Sequence, residues 1–196
     1  MNLLTGTVIL SLAFGGGHQA LITGAPSPAD GPPPRIRSED AGVADAMRQA
    51  LLDSATFRRL AVAIHETDGI IYVRRGRCGG QVTGCTQFAA VSGPNRILHV
   101  TIDAGTTGLD VGTIAHELQH ALEVLGNPNI RSAEGMVLFY MVAGRATLMN
   151  SRFRETSAAI AAGQNVRAEL REAARATGRQ APNAQASDVT DVTVGK

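Results

Sequence analysis

Apolar residues recur every three or four positions in the first and last parts of the chain and every second position in between. The first spacing is typical of an amphipathic helix and the second of a half-buried strand. Ser38 and Ser54 can each cap a helix N-terminus. The pattern predicts an α+β fold in which a small antiparallel sheet is followed by a helical half. The expected helices are 39–53, 55–66, 113–125, 133–149 and 153–176, and the expected strands are 70–73, 86–91 and 96–103.

The two ends of the chain differ in composition from its middle. Residues 3–14 form an apolar run of signal-peptide length, so we expect residues 1–24 to be a leader that directs export to the periplasm or the medium. An N-terminal strand or helix of the mature fold is the alternative. The Pro-rich residues 25–37 predict an extended spacer, residues 38–176 the folded domain, and the polar residues 177–196 a disordered tail.

Composition limits the class of partner. The chain has 196 residues, 44% of them hydrophobic, which suffices for one core. A net charge of +1, no Trp, 2 Tyr and 5 Phe argue against a nucleic-acid surface, which needs a basic patch and stacking rings. After the leader, no apolar stretch reaches the roughly 18 residues needed to span a membrane, so no span is expected in the mature chain.

The chain has two cysteines, Cys78 and Cys85, separated by a segment that contains three glycines. Such a segment can fold back between two strands, and export would favour oxidation, so we expect a disulfide across a hairpin loop. A zinc knuckle is the alternative, but six intervening residues and no second pair are poor spacing for zinc ligands.

The expected helix 113–125 contains the pattern His-Glu-x-x-His at His116, Glu117 and His120. Residues four apart in a helix lie about 40° apart around the axis and one turn along it, so both imidazoles can bind one metal ion. Glu117 would lie beside the ion, where a carboxylate can act as general base. Apolar residues occupy the opposite face of this helix, so its histidine edge is expected to line a cleft.

In this motif the chain resembles the zincin metallopeptidases, in which the pattern supplies two zinc ligands and the catalytic base. The resemblance covers five residues. It implies Zn²⁺ as cofactor, a zincin-like fold, a peptide or protein as substrate, and an extended substrate paired with a strand near the site.

A catalytic zinc site needs a third protein ligand, for which Glu123, Glu134 and Glu155 are the candidates. Glu123 lies about 10 Å along the same helix from His116, too far for one straight helix to bring all three to one ion. In gluzincins, the zincin subgroup that the chain resembles, the third ligand is a Glu on a later helix. Glu134 precedes bulky apolar residues of a helix expected to be buried, whereas small residues follow Glu155 and permit close approach. We therefore expect Glu155 to be the ligand, with Glu134 and Glu123 as alternatives.

These observations predict an exported zinc-dependent peptidase of gluzincin type, which would hydrolyse peptide bonds with an activated water and Glu117 as base. The alternative is a domain without catalytic activity that contains zinc and holds a peptide or protein partner on an edge strand. Loss of turnover on changing Glu117 would separate the two.

Overall fold

The computed structural model describes residues 34–79, 82–103, 108–143 and 155–178. The leader 1–24, residues 25–33 of the spacer, and residues 179–196 of the tail lie outside these ranges. The described elements confirm the α+β class. In chain order they are β1 (Ile36–Arg37), α1 (Ala41–Asp53), α2 (Ala55–His65), β2 (Gly69–Arg75), β3 (Gly84–Ser92), β4 (Asn95–Ile102), α3 (Val111–Leu125), α4 (Ala133–Ala143) and α5 (Ser157–Ala176).

The four strands form one mixed sheet in the order β1-β2-β4-β3. Strand β2 is parallel to both β1 and β4, whereas β3 is antiparallel to β4. The expectation of an antiparallel sheet is therefore wrong for β2. Strands β3 and β4 join through a tight turn in which Gly93 has a φ of 56°, and this hairpin places β4 between β2 and β3. The spacing of apolar residues predicts strands but not which strands are neighbours.

The sheet begins earlier than the sequence pattern indicates. Ile36 and Arg37, which fall within the expected spacer, pair with Ile71 and Tyr72 of β2. The sequence pattern does not predict this strand, because two residues are too few to show alternation. The first helix is capped by Asp40, whose carboxylate accepts a hydrogen bond from the Val43 amide. The expected cap at Ser38 is thus displaced by two residues.

Helices α1, α2 and α3 pack on the buried face of the sheet, and α5 packs against these helices. Alternate residues of β2 and β4 point to this face and are fully buried there, among them Ile71, Leu98 and Val100. The apolar face of α3, including Ile114 and Leu118, belongs to the same buried cluster. The opposite edge of α3, which carries the histidines, therefore points away from this cluster.

Small residues let α5 approach α3 closely. Ala159, Ala162 and Gly163 are buried on the face of α5 that contacts α3. A Cβ on Gly163 would lie only 2.9 Å from the carbonyl oxygen of Gly112, which is closer than side-chain atoms tolerate. The close approach matters for function because Glu155 immediately precedes α5.

Helix α4 is not buried, contrary to expectation. Val137, Leu138 and Met141 are each more than half exposed, and Val142 is 89% exposed. The helix is apolar on all sides, so its composition could not indicate which side would be covered. Its described part ends at Ala143, and the expected continuation to residue 149 lies outside the described ranges. No helix within those ranges is both long and apolar enough to cross a membrane.

Arg96 of β4 fixes the C-terminal end of α3. Its side chain is almost fully buried and forms an ion pair with Asp68, with 2.7 Å between Nη2 and Oδ1. The same guanidinium donates hydrogen bonds to four backbone carbonyls at and just beyond the end of α3. These are the carbonyls of Val124, Leu125, Asn127 and Ile130. Arg96 therefore ties the sheet to the helix that carries the histidine motif.

Candidate metal centre

Two histidines of α3 and one glutamate before α5 converge on one point. His116 and His120 lie one helical turn apart, with 4.8 Å between their ring centroids. Glu155 Oε2 lies 2.9 Å from His116 Nε2 and 3.6 Å from His120 Nε2. Within the described ranges these three residues form a group that could hold a metal ion, with one ligand atom from each and all three atoms within 4.8 Å of one another.

Glu155 reaches this point from a backbone position just outside a helix. Helix α5 begins at Ser157, and the Thr156 hydroxyl caps it by accepting a hydrogen bond from the Ala159 amide. The sequence pattern had placed Glu155 inside the first turn of a helix beginning near residue 153. The structure places Glu155 just before the cap. Its location therefore depends on where α5 begins as well as on the small residues that follow it.

The carboxylate of Glu155 has the features of a group that needs a cation. Its Oε2 atom is buried and, among the described residues, has no partner in hydrogen-bond geometry, although His116 Nε2 is close. The imidazoles of His116 and His120 lower the pKa of Glu155, so the group is an anion at neutral pH. The buried Oε2 atom therefore depends on the two imidazoles, or on a cation held between them, because a buried charge without compensation is costly. Two imidazole nitrogens and one carboxylate oxygen are a donor set that suits zinc, so the residues fit the implied metal.

Glu123 orients a candidate ligand and is not part of the converging group. Its Oε2 lies 3.2 Å from His120 Nδ1, and its Oε1 accepts a hydrogen bond of 2.7 Å from the Thr156 hydroxyl. A hydrogen bond from Nδ1–H to this carboxylate leaves the Nε2 lone pair free to bind a metal. The Tyr140 hydroxyl donates to the His120 carbonyl at 2.7 Å and holds the same turn of helix in place.

The charges around His120 determine its protonation in the metal-free protein. Burial of the imidazole lowers its pKa, but the carboxylates of Glu123, Glu155 and Glu117 more than offset this and raise the pKa to about 9. His120 is therefore protonated at neutral pH when no metal is bound. A metal ion would have to displace that proton.

Glu117 is buried against the edge of the sheet. Only 6% of the residue is exposed, and burial raises the pKa of its carboxyl group above the usual value, although His120 and Thr86 act in the opposite direction. The Thr86 hydroxyl lies 2.9 Å from Glu117 Oε2 and 2.9 Å from the Glu117 carbonyl oxygen. A Cβ on Gly84 would lie 2.8 Å from Glu117 Oε1, so this position of β3 has room for no side chain.

Thr86 is a functional residue that the sequence analysis missed. Its hydroxyl can donate to an ionised Glu117, and it can donate to the helix carbonyl while accepting from a protonated Glu117. Thr86 thus offers Glu117 a partner in both protonation states. It lies 31 residues away in sequence, and a threonine in a strand gives no local signal of such a contact.

The other residues considered as ligands lie elsewhere. Glu134 is exposed in the first turn of α4, where the backbone and the Ser132 hydroxyl lower its pKa by hydrogen bonding. It does not join the group formed by His116, His120 and Glu155. The exposed position of α4 explains why Glu134 is not directed toward the histidines.

The converging groups open into a cavity of about 990 Å³ between β3 and α4. One wall is formed by the first half of β3 and the opposite wall by Met136, Val137, Tyr140 and Met141 of α4. The candidate metal ligands and Glu117 lie at its base. A cavity of this size is at the upper end of the range for small-molecule pockets, and it would also admit a short peptide segment.

Strand β3 lies at the edge of the described sheet. Its backbone N–H and C=O groups point alternately toward β4 and toward the outer side. The Thr83 carbonyl accepts a hydrogen bond of 2.8 Å from the Asp103 amide, so Thr83 and the residues two and four positions later direct their backbone groups toward β4. Gly84, Thr86 and Phe88 consequently direct their N–H and C=O groups away from the sheet. Within the described ranges no strand pairs with this side of β3, which runs beside Glu117.

A disulfide joins Cys78 and Cys85, with a Cα–Cα distance of 5.7 Å. It links the segment after β2 to the start of β3, next to Gly84. These strands are not neighbours in the sheet, so the bond spans a crossover and not the hairpin loop that we expected. It restrains the part of β3 that contacts Glu117.

No protein-family model matches the chain, and comparisons with curated proteins and with solved structures also give no match.

Proposed function

We propose that the protein is an exported zinc-dependent peptidase that cleaves extended peptide segments. The observation that carries the proposal is the convergence of His116, His120 and the buried Oε2 atom of Glu155, with the carboxyl group of Glu117 beside them. Three protein ligands are the number used by catalytic zinc sites, which keep one position open, whereas structural sites use four. The described residues offer no fourth ligand to this group.

Glu117 is suited to move a proton in this reaction. A bound zinc ion supplies Lewis acidity, which makes water a better nucleophile and polarises the peptide carbonyl. The carboxylate of Glu117 would accept a proton from the attacking water and deliver it to the nitrogen of the leaving amine. The raised pKa of Glu117 brings its proton affinity closer to the value that both transfers require.

The free edge of β3 is suited to position a peptide. The outward backbone groups of Gly84, Thr86 and Phe88 can pair with an extended chain by strand addition. Such pairing depends on backbone groups and selects for extended conformation. It would place a peptide bond close to Glu117, because Gly84 and Thr86 contact that side chain.

Export is supported by the disulfide and by the apolar residues 3–14. Disulfides persist in oxidising compartments such as the periplasm and the extracellular medium. A cytoplasmic location would leave the bond between Cys78 and Cys85 exposed to reduction by cellular thiols.

Changing Glu117 to Gln tests the proposed function. We expect the variant to retain zinc and fold but to hydrolyse peptides at least about 100-fold more slowly, because an amide cannot accept the proton. Hydrolysis is measured on a mixed peptide library by mass spectrometry, with metal content determined in parallel. Glu134→Gln is the matched control, since Glu134 is exposed and should give native rates. Turnover unchanged by Glu117→Gln, or absent from the native protein, would favour a binding domain.

Zinc binding is expected to release a proton and to strengthen with rising pH. Below about pH 9 the metal-free His120 is protonated, so each unit of increase in pH should raise apparent affinity about tenfold until that pKa is passed. Titration calorimetry in buffers of different ionisation enthalpy measures the proton, and chelator competition at several pH values measures the affinity.

Glu123→Gln is the matched control for proton release. It removes a carboxylate that raises the pKa of His120, so fewer protons should be released per zinc ion bound near pH 8 than in the native protein. Equal zinc affinity of the native protein at pH 6 and pH 8 would contradict the assignment of His120 as a ligand.

A further inference from the structure

Among the described residues that line the cavity, Arg167 is the one arginine and none is a lysine. It projects from α5 toward the N-terminal end of α3, one turn before His116. Its side chain is 41% exposed, so part of the guanidinium is accessible from the cavity. The proposed proton transfer and metal binding make no use of it.

The guanidinium group is held in a fixed orientation. Its Nε and Nη2 atoms donate to Asp110 Oδ2 at 2.9 and 2.5 Å, and Nη2 also donates to the Thr113 hydroxyl at 3.2 Å. The Thr113 hydroxyl in turn donates to Asp110 at 2.8 Å. These bonds use one side of the planar guanidinium, and Nη1 has no hydrogen-bond partner within the described ranges.

Two glycines make room for this side chain. A Cβ on Gly112 would lie 2.5 Å from Arg167 Nε and 2.8 Å from Cζ, so any larger residue would displace the guanidinium. A Cβ on Gly163 would lie 3.3 Å from Arg167 Nη1 and 3.3 Å from His116 Cβ. The free Nη1 edge and the candidate ligand His116 thus border the same small space.

We propose that Arg167 binds a carboxylate of the substrate, either its C-terminal carboxylate or an acidic side chain near the scissile bond. The proposal rests on the proposed peptidase function, of which it specifies the substrate class. Nε and Nη2 already donate to Asp110 and Thr113, so Nη1 would donate to the carboxylate. A charge-assisted hydrogen bond of this kind is among the strongest in proteins. Asp110 fixes the plane of the group from behind, so little side-chain entropy is lost when a ligand binds.

The alternative is that Arg167 only ties α5 to the cap of α3. Two variants separate these roles. Each weakens the ion pair between Arg167 and Asp110, but only one removes the guanidinium. Arg167→Gln removes the carboxylate-binding edge, whereas Asp110→Asn keeps both Arg167 and a side-chain oxygen that can cap α3. A purely structural role predicts that the two variants behave alike toward all ligands.

The test compares peptides that differ in one carboxylate. Matched sets carry a free C-terminus or a C-terminal amide, and Glu or Gln beside the scissile bond. We expect the native protein to favour one carboxylate form by about tenfold or more in kcat/KM, Arg167→Gln to lose this preference, and Asp110→Asn to keep it. The set that shows the preference identifies the source of the carboxylate. No preference in either set would overturn the proposal.

A binding measurement keeps the inference separate from the peptidase function. N-acetyl-alanyl-alanine and its C-terminal amide, and N-acetyl-glutamate amide and its glutamine counterpart, are titrated into the metal-free protein and followed by NMR. If the native protein binds an acid more tightly than its amide and Arg167→Gln does not, the proposal for Arg167 is supported even when no peptide is hydrolysed. Absence of hydrolysis counts only against the peptidase function. Equal binding of acid and amide in both pairs would refute the role of Arg167.

Discussion

Replacing Glu155 by Ala is expected to lower zinc affinity by about three orders of magnitude. Residues that only orient a metal ligand contribute about 10–100-fold to affinity, so removal of a ligand should cost more. The loss should be large here because the two remaining candidates, His116 and His120, are neutral when they bind a metal. Glu155 would therefore supply the negative charge nearest the ion among the three converging groups. Chelator competition at fixed pH measures the change.

Two other glutamates provide graded controls for this experiment. Glu123→Ala should weaken binding by about 10–100-fold, because Glu123 orients His120 without joining the converging group. Glu134→Ala should leave affinity unchanged, since Glu134 is exposed on α4. Circular dichroism establishes that each variant is folded. Full zinc occupancy in Glu155→Ala together with loss in Glu134→Ala would transfer the assignment to Glu134.

The histidine motif could be located from sequence because its geometry is local. The spacing of His116 and His120 places both side chains on one edge of a helix, and the apolar residues along Val111–Leu125 identify the helix and its buried face. Glu155 was favoured by the small residues that follow it, and those residues do allow α5 to lie close to α3. Its position before the helix could not be derived, because the choice of Thr156 as cap depends on the contact of Thr156 with Glu123 as well as on local preference.

Features that depend on distant residues were not predictable in the same way. The parallel pairing of β2 with β4 arises because β3 and β4 form a hairpin and occupy one side of the sheet, and single-strand patterns carry no such information. The exposure of α4 has a similar origin, since a helix that is apolar on all sides gives no directional signal. Thr86 and Arg96 each act on α3 across about 30 residues of sequence.

Arg96→Met is expected to destabilise the protein by about 1–3 kcal/mol, the usual cost of leaving a buried hydrogen-bond acceptor without its donor. Asp68 adds little to this cost, since its side chain is 34% exposed. Arg96 is 2% exposed, and methionine can fill part of its volume without a cavity. The variant would leave the Asp68 carboxylate without its closest cation and the Leu125 carbonyl at the end of α3 without the donor that Arg96 supplies. Unfolding by guanidinium chloride, with the disulfide intact and metal removed, measures the change.

The contacts of Arg96 also determine how its replacements should rank. Arg96→Lys should recover only part of the lost stability, because an ammonium group cannot direct donors to Asp68 and to several carbonyls at once. Arg131 is a matched control, since it is half exposed and 4.0 Å from the same Asp68 carboxylate. Arg131→Ala should change stability by no more than about 0.5 kcal/mol. A decrease of less than about 1 kcal/mol in the free energy of unfolding of Arg96→Met would contradict the role of Arg96. The substitution should leave at least one buried carbonyl without a donor, which costs more than that.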